Sequence, residues 1–96
     1  MKPSEAMAGK EQAIRALVSR YLAANPRIFG SVLRGEDQDG SDLDLLVDAL
    51  PGATLFHLGG LQVELEELLG VSVDLLTPGD ISKRFREEVI GEARAL

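Results

Sequence analysis

The sequence predicts a small α/β (α+β) domain: a mixed β-sheet of three to four strands flanked by helices, in the order α-β-(α)-β-α-β-α. Three observations predict this class. The chain has 96 residues, which allow one domain. Its 45% apolar and 27% charged residues are typical of a globular protein. Helical apolar periodicity alternates with short runs rich in Val, Ile and Leu. We expect a loose, flexible N-terminus over 1–8 and one domain over 9–96.

The first helix is predicted from Gly9 to Ala24. Its apolar positions recur at the spacing of one helical stripe, and they are Ile14, Leu17, Val18, Tyr21 and Leu22. Asn25-Pro26 is expected to end the helix, because proline cannot continue the hydrogen-bond ladder. A short strand, Arg27 to Phe29, follows.

The middle of the chain predicts a helical turn, a polar loop and a buried strand. Val32 to Gly35 is long enough for one turn, and 36–41 is polar. Leu43 to Leu50 is rich in Leu and Val and is typical of a strand covered on both faces.

The second half of the chain predicts a helix, a strand and a last helix. Thr54 is a plausible N-cap and Gly70 a C-cap, and Gly59-Gly60 indicates a kink or close packing. Residues 71–77 form the third strand, and Pro78-Gly79-Asp80 starts the last helix. A strand-helix-strand step of this kind is a right-handed crossover with parallel strands.

Composition excludes several classes of site. There is no cysteine, and His57 is the single histidine, so thiolate sites and two-imidazole sites are excluded. A net charge of −6 and the absence of Trp argue against direct nucleic-acid binding and against anionic membranes. No signal-peptide pattern and no apolar run of membrane-spanning length is visible. We therefore expect a cytoplasmic protein.

Three aspartates do not fit a solvated helix surface. Asp42 and Asp44 stand at i and i+2 at the start of a strand, so their side chains point to the same side. Asp74 lies in the third strand, beside Asp44 if the two strands are parallel neighbours. Three carboxylates that meet in this way form a site suited to Mg²⁺. Asp42 and Asp74 also have ordinary structural roles open to them, as a loop cap and as an ion-pair partner.

A turn before these aspartates can hold phosphate. Gly30-Ser31 follows a short strand, and glycine lets a phosphate approach the backbone. The Ser31 hydroxyl can bind a phosphate oxygen, and Arg34 can neutralise its charge. The calcium-loop alternatives fail on spacing, because an EF-hand register from Asp37 has Asp42 where glycine is required.

The stretch 28–48, I-F-G-S-V-L-R-G-E-D-Q-D-G-S-D-L-D-L-L-V-D, resembles the signature of the DNA polymerase beta-type nucleotidyltransferases. More narrowly, it resembles the minimal nucleotidyltransferases (MNT), and L-x-x-E-L-E-E-L-L-G-V-S-V-D-L-L-T-P over 61–78 extends the likeness. Val32 departs from the pattern, since many such sequences have a polar or basic residue there.

The resemblance implies a set of roles. Asp42, Asp44 and Asp74 would ligate two Mg²⁺ ions, with Asp74 able to act as base. Gly30 and Ser31 would hold the triphosphate of ATP, and Arg34 matches an arginine often seen after the Gly-Ser pair. Many such proteins are antitoxins that transfer AMP to a tyrosine of a HEPN-domain ribonuclease toxin. The implied partners are therefore a nucleoside triphosphate and a HEPN toxin, with a hetero-oligomer expected.

Two other functions stay open at this point. The chain could neutralise a toxin by binding alone, or it could transfer a nucleotide to a small molecule. The basic cluster Lys83, Arg84 and Arg86 is either a solvated helix face or a docking surface.

Overall fold

The computed structural model describes all 96 residues and contains a mixed four-stranded sheet. Five α-helices are present: α1 Pro3–Met7, α2 Glu11–Arg20, α3 Gly30–Arg34, α4 Leu55–Leu69 and α5 Lys83–Glu92. Four strands are present: β1 Ala23–Phe29, β2 Leu43–Ala49, β3 Val73–Leu76 and β4 Arg94–Ala95. The strand order is β3-β2-β1-β4, with β2 and β3 parallel and the other pairs antiparallel. The predicted fold class is confirmed.

One face of the sheet carries the hydrophobic core. Leu43, Leu45 and Val47 alternate along β2 and are fully buried against the helices. Their partners on α2 and α4 recur at helical spacing, and they are Ile14, Val18, Leu61, Leu65 and Leu69. We call this side of β2 the core face. The opposite side, with Asp44, Leu46 and Asp48, is the site face.

Helix α4 begins and ends where the sequence predicts. The Thr54 hydroxyl accepts the His57 N–H at 3.5 Å, and Gly70 ends the helix at φ +70°. The close packing expected at Gly59-Gly60 is present at Gly60, where a Cβ would lie 2.8 Å from the Tyr21 ring. No helix in the structure is both long enough and apolar enough to cross a membrane.

The first helix and strand differ from the prediction at their junction. Helix α2 ends at Arg20, and Leu22 turns the chain with a φ of +54°. Asn25-Pro26 therefore does not end the helix but lies inside β1, where the β1–β2 register shifts between Ala24 and Arg27. Proline has no N–H to donate, and such a bulge accommodates it.

The two ends of the chain also differ from the prediction. Residues 1–8 are not a loose lead-in, because α1 packs Ala6 and Met7 into the core. The last helix starts at Lys83 rather than at Pro78. The Asp80 carboxylate accepts the Thr77 N–H at 2.9 Å and so closes a short 3-10 turn first. Strand β4, which was not predicted, pairs with β1.

Candidate active site

Asp44 and Asp74 lie opposite each other on neighbouring strands. The parallel register pairs Asp44 with Asp74 and Leu45 with Leu75, and the antiparallel register pairs Asp44 with Phe29. Directly paired residues project to the same side of a sheet. The parallel crossover predicted from the sequence therefore brings these two carboxyls together on the site face, away from the core.

The surroundings of Asp44 disfavour a negative charge. Burial, together with the negative charges of Asp74 and Asp42, raises the pKa of Asp44 to about 6. A hydrogen bond with Asp74 also holds the proton on Asp44, while the positive charge of Arg34 acts in the opposite direction. All three aspartates thus interact electrostatically at one place.

Asp42 and Asp74 are more exposed than Asp44. Asp42 immediately precedes β2 and stands two residues before Asp44, so both project to the same side. No group of three or more acidic or histidine side chains is arranged to hold a metal ion by itself. The close contact joins Asp44 and Asp74, and Asp42 acts on Asp44 through its charge.

Gly30 is packed directly against Asp44. A Cβ on Gly30 would lie 2.0 Å from Asp44 Oδ2 and 2.9 Å from its Cγ, so no larger residue fits. The φ of Gly30 is +72°, which side-chain-bearing residues rarely adopt. The Gly30-Ser31 turn is therefore held against the carboxylate pair by both sterics and backbone conformation.

Ser31 and Arg34 lie on α3, the short helix that begins at Gly30. Ser31 is half-buried, and its carbonyl accepts the Glu36 N–H at 2.9 Å. Arg34 is exposed, and its Nε donates to Glu36 Oε2 at 3.1 Å. Arg34 is near enough for its positive charge to lower the pKa of Asp44 against the other effects, and its Nη groups make no hydrogen bond to Glu36.

The sequence matches the family described as "Nucleotidyltransferase domain" over residues 10–96. The chain belongs to this family. "Putative protein adenylyltransferase MJ0435" of Methanocaldococcus jannaschii is 42% identical to this nucleotidyltransferase over 66 residues, which are 69% of the chain and 71% of the relative. "Protein adenylyltransferase MntA" of Thermococcus cleftensis is 37% identical over 78 residues, 81% of the chain and 79% of the relative.

Solved structures show the same fold. A structure described as a "putative minimal nucleotidyltransferase" superposes with a TM-score of 0.83 at 40% identity, over 97% of this chain and 93% of that one. A toxin–antitoxin crystal structure with AMP-PNP has a TM-score of 0.74 at 23% identity, over 88% of this chain and 70% of that one. The likeness identifies this nucleotidyltransferase as one of the minimal type.

The largest cavity of this nucleotidyltransferase is not the carboxylate site. It measures about 460 Å³ and lies between α2 and α4, where Leu17 and Leu68 line it. The aspartates instead occupy an open surface. Shared strand register and charge interaction, rather than a deep pocket, mark this surface as the candidate site.

Two buried charged residues of this nucleotidyltransferase were not identified from the sequence. Arg27 lies on the site face, and its Nη1 donates to Asp48 Oδ1 at 3.2 Å. Asp37 is buried in the polar loop, and its Oδ2 accepts the Ser4 N–H at 2.9 Å. Asp44 and Asp48 project to the same side of β2, and this pattern was the available signal for Arg27, because a positive charge on the neighbouring strand can pair with Asp48. Asp37 bonds to a residue 33 positions away, and no local pattern marks it.

Proposed function

We propose that this chain is a Mg²⁺-dependent nucleotidyltransferase that transfers AMP from ATP to a tyrosine of a cognate HEPN ribonuclease toxin, and so acts as its antitoxin in the cytoplasm. The observation that carries the proposal is the contact set of Asp44, Asp74 and Gly30 on the site face. It combines a carboxylate pair with a glycine turn whose backbone lies directly against one of the two carboxylates.

The donor set suits Mg²⁺. Asp42, Asp44 and Asp74 offer only carboxylate oxygens, which this ion prefers. Burial and, after it, the negative charges of Asp74 and Asp42 raise the pKa of Asp44, and a bound cation would offset both effects. Mg²⁺ is usually held by one or two carboxylates, with phosphate oxygens and water completing the shell. That matches a site whose protein ligands do not surround an ion. The proposed pair of ions, when bound, neutralises charge on the triphosphate.

The protein groups around the carboxylates supply binding and proton transfer. The Gly30-Ser31 turn holds the phosphates, since it leaves backbone and hydroxyl donors beside Asp44. Arg34 donates to a phosphate oxygen from its Nη groups, because only its Nε is bonded to Glu36. The tyrosine oxygen forms the new bond to the α-phosphorus, the bond from that phosphorus to diphosphate breaks, and Asp74 takes the hydroxyl proton.

Several observations support a protein acceptor. The two relatives described above, which align with 69% and 81% of the chain, are named protein adenylyltransferases, the first of them as a "putative" one. The same fold occurs in a toxin–antitoxin structure with AMP-PNP. The net charge of −6 disfavours a nucleic-acid acceptor. The expected assembly is a hetero-oligomer of this chain with its toxin.

The first prediction is loss of transfer in the Asp42→Ala plus Asp44→Ala variant. Incubation with labelled ATP, Mg²⁺ and the cognate HEPN protein should label the toxin, and the double variant should lower the rate by about 1,000-fold or more, because positioned charge stabilisation is lost. Asp39→Ala, an exposed acid of the same loop, is the matched control and should label normally. Equal labelling by the double variant would refute the catalytic assignment.

The same double variant separates transfer from neutralisation by binding. Cells that express the toxin should be protected by the wild-type chain and not by the double variant. Protection by both would show that the antitoxin acts by covering its toxin. Labelling of an aminoglycoside without any protein partner would move the acceptor to the small-molecule class.

A further inference from the structure

Asp37 is a buried acid in a loop of exposed residues. Its exposed fraction is 7%, whereas Glu36, Gln38 and Asp39 on either side of it are exposed. Lys, Glu, Arg and Asp are almost never buried to this extent unless they have a partner. The mechanism proposed above does not use this carboxylate, so its burial calls for another explanation.

The partner of Asp37 is the start of helix α1. Asp37 Oδ2 accepts the N–H of Ser4, the second residue of α1, at 2.9 Å. This hydrogen bond lowers the pKa of Asp37, so the group is ionised at neutral pH. Helix α1 is itself fixed, because Ala6 and Met7 are part of the core. The loop is thus attached to the core through α1.

A hydrogen-bonded turn connects Asp37 to Asp42. The Gln38 N–H donates to Ser41 Oγ at 2.9 Å, and the Ser41 N–H donates to the Gln38 carbonyl at 3.0 Å. Asp42 follows at once and lies between this turn and Leu43, the first residue of β2, whose N–H donates to the Ser72 carbonyl at 2.9 Å. The placement of Asp42 therefore depends on the strand after it and, through the turn before it, on the anchor at Asp37.

We propose that Asp37 is a positioning residue for nucleotidyl transfer: by accepting the Ser4 N–H it fixes the loop that carries Asp42, and so sets how tightly the site binds Mg²⁺ and ATP. This inference rests on the proposed function.

Steady-state kinetics test the inference. In Asp37→Ala the Mg²⁺ concentration for half-maximal transfer should rise about 10-fold, as for other residues that orient metal ligands, with kcat at saturating Mg²⁺ little changed. Asp37→Asn keeps an oxygen that can accept the Ser4 N–H and should stay within about 2-fold of wild type. Asp39→Ala removes the same charge two residues away and should leave the Mg²⁺ dependence unchanged.

Folding is monitored in parallel by circular dichroism, and half-saturation points are compared under conditions where both proteins are fully folded, because partial unfolding by itself raises the apparent half-saturation concentration. If Asp37→Ala does not fold, Asp37→Ser replaces it. An Asp37 variant with the same Mg²⁺ dependence as Asp39→Ala overturns the inference.

Calorimetric binding of Mg²⁺ and ATP separates this inference from the proposed function. If the wild-type chain binds both but transfers nothing, the proposed function fails, and weaker binding by Asp37→Ala still supports the positioning role. If the wild-type chain binds neither, both proposals fall. Equal binding by the two proteins overturns the positioning role alone.

Discussion

The two faces of β2 have opposite physical characters within seven residues. On the core face, Leu43, Leu45 and Val47 are completely buried against helices. On the site face, Asp44 and Asp48 stand on either side of Leu46, which is also buried. One strand thus supplies stability on one side and charge on the other, because its side chains alternate.

This separation shows why the site tolerates an unfavourable arrangement. Like charges beside a half-buried carboxyl destabilise the folded state. The apolar side chains of the same strand offset that cost without contacting the site. Substitutions on the core face should therefore affect mainly stability, and substitutions on the site face mainly activity.

The largest effect on stability is expected for Leu45→Ala on the core face. Removing this fully buried side chain leaves a cavity and should lower the free energy of unfolding by about 2–5 kcal/mol, measured by urea titration. Activity per folded molecule should stay within about 2-fold of wild type. Leu55→Ala, the same change at a side chain that is 85% exposed, is the control. Equal costs for both variants would contradict the division between faces.

Gly30→Ala should disturb the site face, with a smaller loss of stability than Leu45→Ala. An alanine at positive φ costs about 1–2 kcal/mol, and its Cβ must displace Asp44. Transfer should then fall on the order of 100-fold, since small misplacements at a reacting centre are costly. Gly35→Ala is the matched control, because Gly35 has a φ of +70° with nothing within 4 Å of a Cβ. It should lose similar stability and keep its activity.

Asp44→Asn should change the free energy of unfolding least of the three variants, and it should raise this free energy rather than lower it. The pKa of Asp44 is raised to about 6 in the folded protein, from an ordinary value of 3.8. Its contribution to stability is thus full below about pH 4 and is lost as the pH rises through about 6. In EDTA at pH 7.5 the variant should be more stable by about 1 kcal/mol, after allowance for solvent screening of a half-buried group.

The pH dependence is the decisive measurement for Asp44→Asn. Near pH 4 the variant and the wild-type chain should unfold at similar urea concentrations. Asp39→Asn, at an exposed position, should show no such trend. A variant that is less stable than wild type at pH 7.5 would show that burial and like-charge repulsion do not destabilise the charged form of Asp44.

The sequence was sufficient for the parts of the fold that follow from local pattern. The alternation in β2, the caps Thr54 and Gly70 and the parallel crossover all carry short-range signals, and the structure confirms them. From these alone, Asp44 and Asp74 could be expected side by side. The roles of Gly30, Ser31, Arg34 and the three aspartates in catalysis stay predictions.

The remaining features depend on contacts between distant residues. Helix α1 has five residues, too few to be stable alone, and it exists where Asp37 and the core support it. Strand β4 has two residues and is defined only by its pairing with β1. The local pattern at Asn25-Pro26 indicates a helix end, but pairing with β2 places these two residues inside β1, where the register shifts.

The pairing of Asp44 with Asp74 has a consequence for how the chain folds. If β3 slipped by one residue against β2, Asp74 would turn toward the core and Val73 toward water. Burying an unpaired carboxylate among leucines costs several kcal/mol. Asp74, to which we assign a role in proton transfer, thereby also destabilises the misaligned sheet. Selection for activity at this position would at the same time preserve the correct strand alignment.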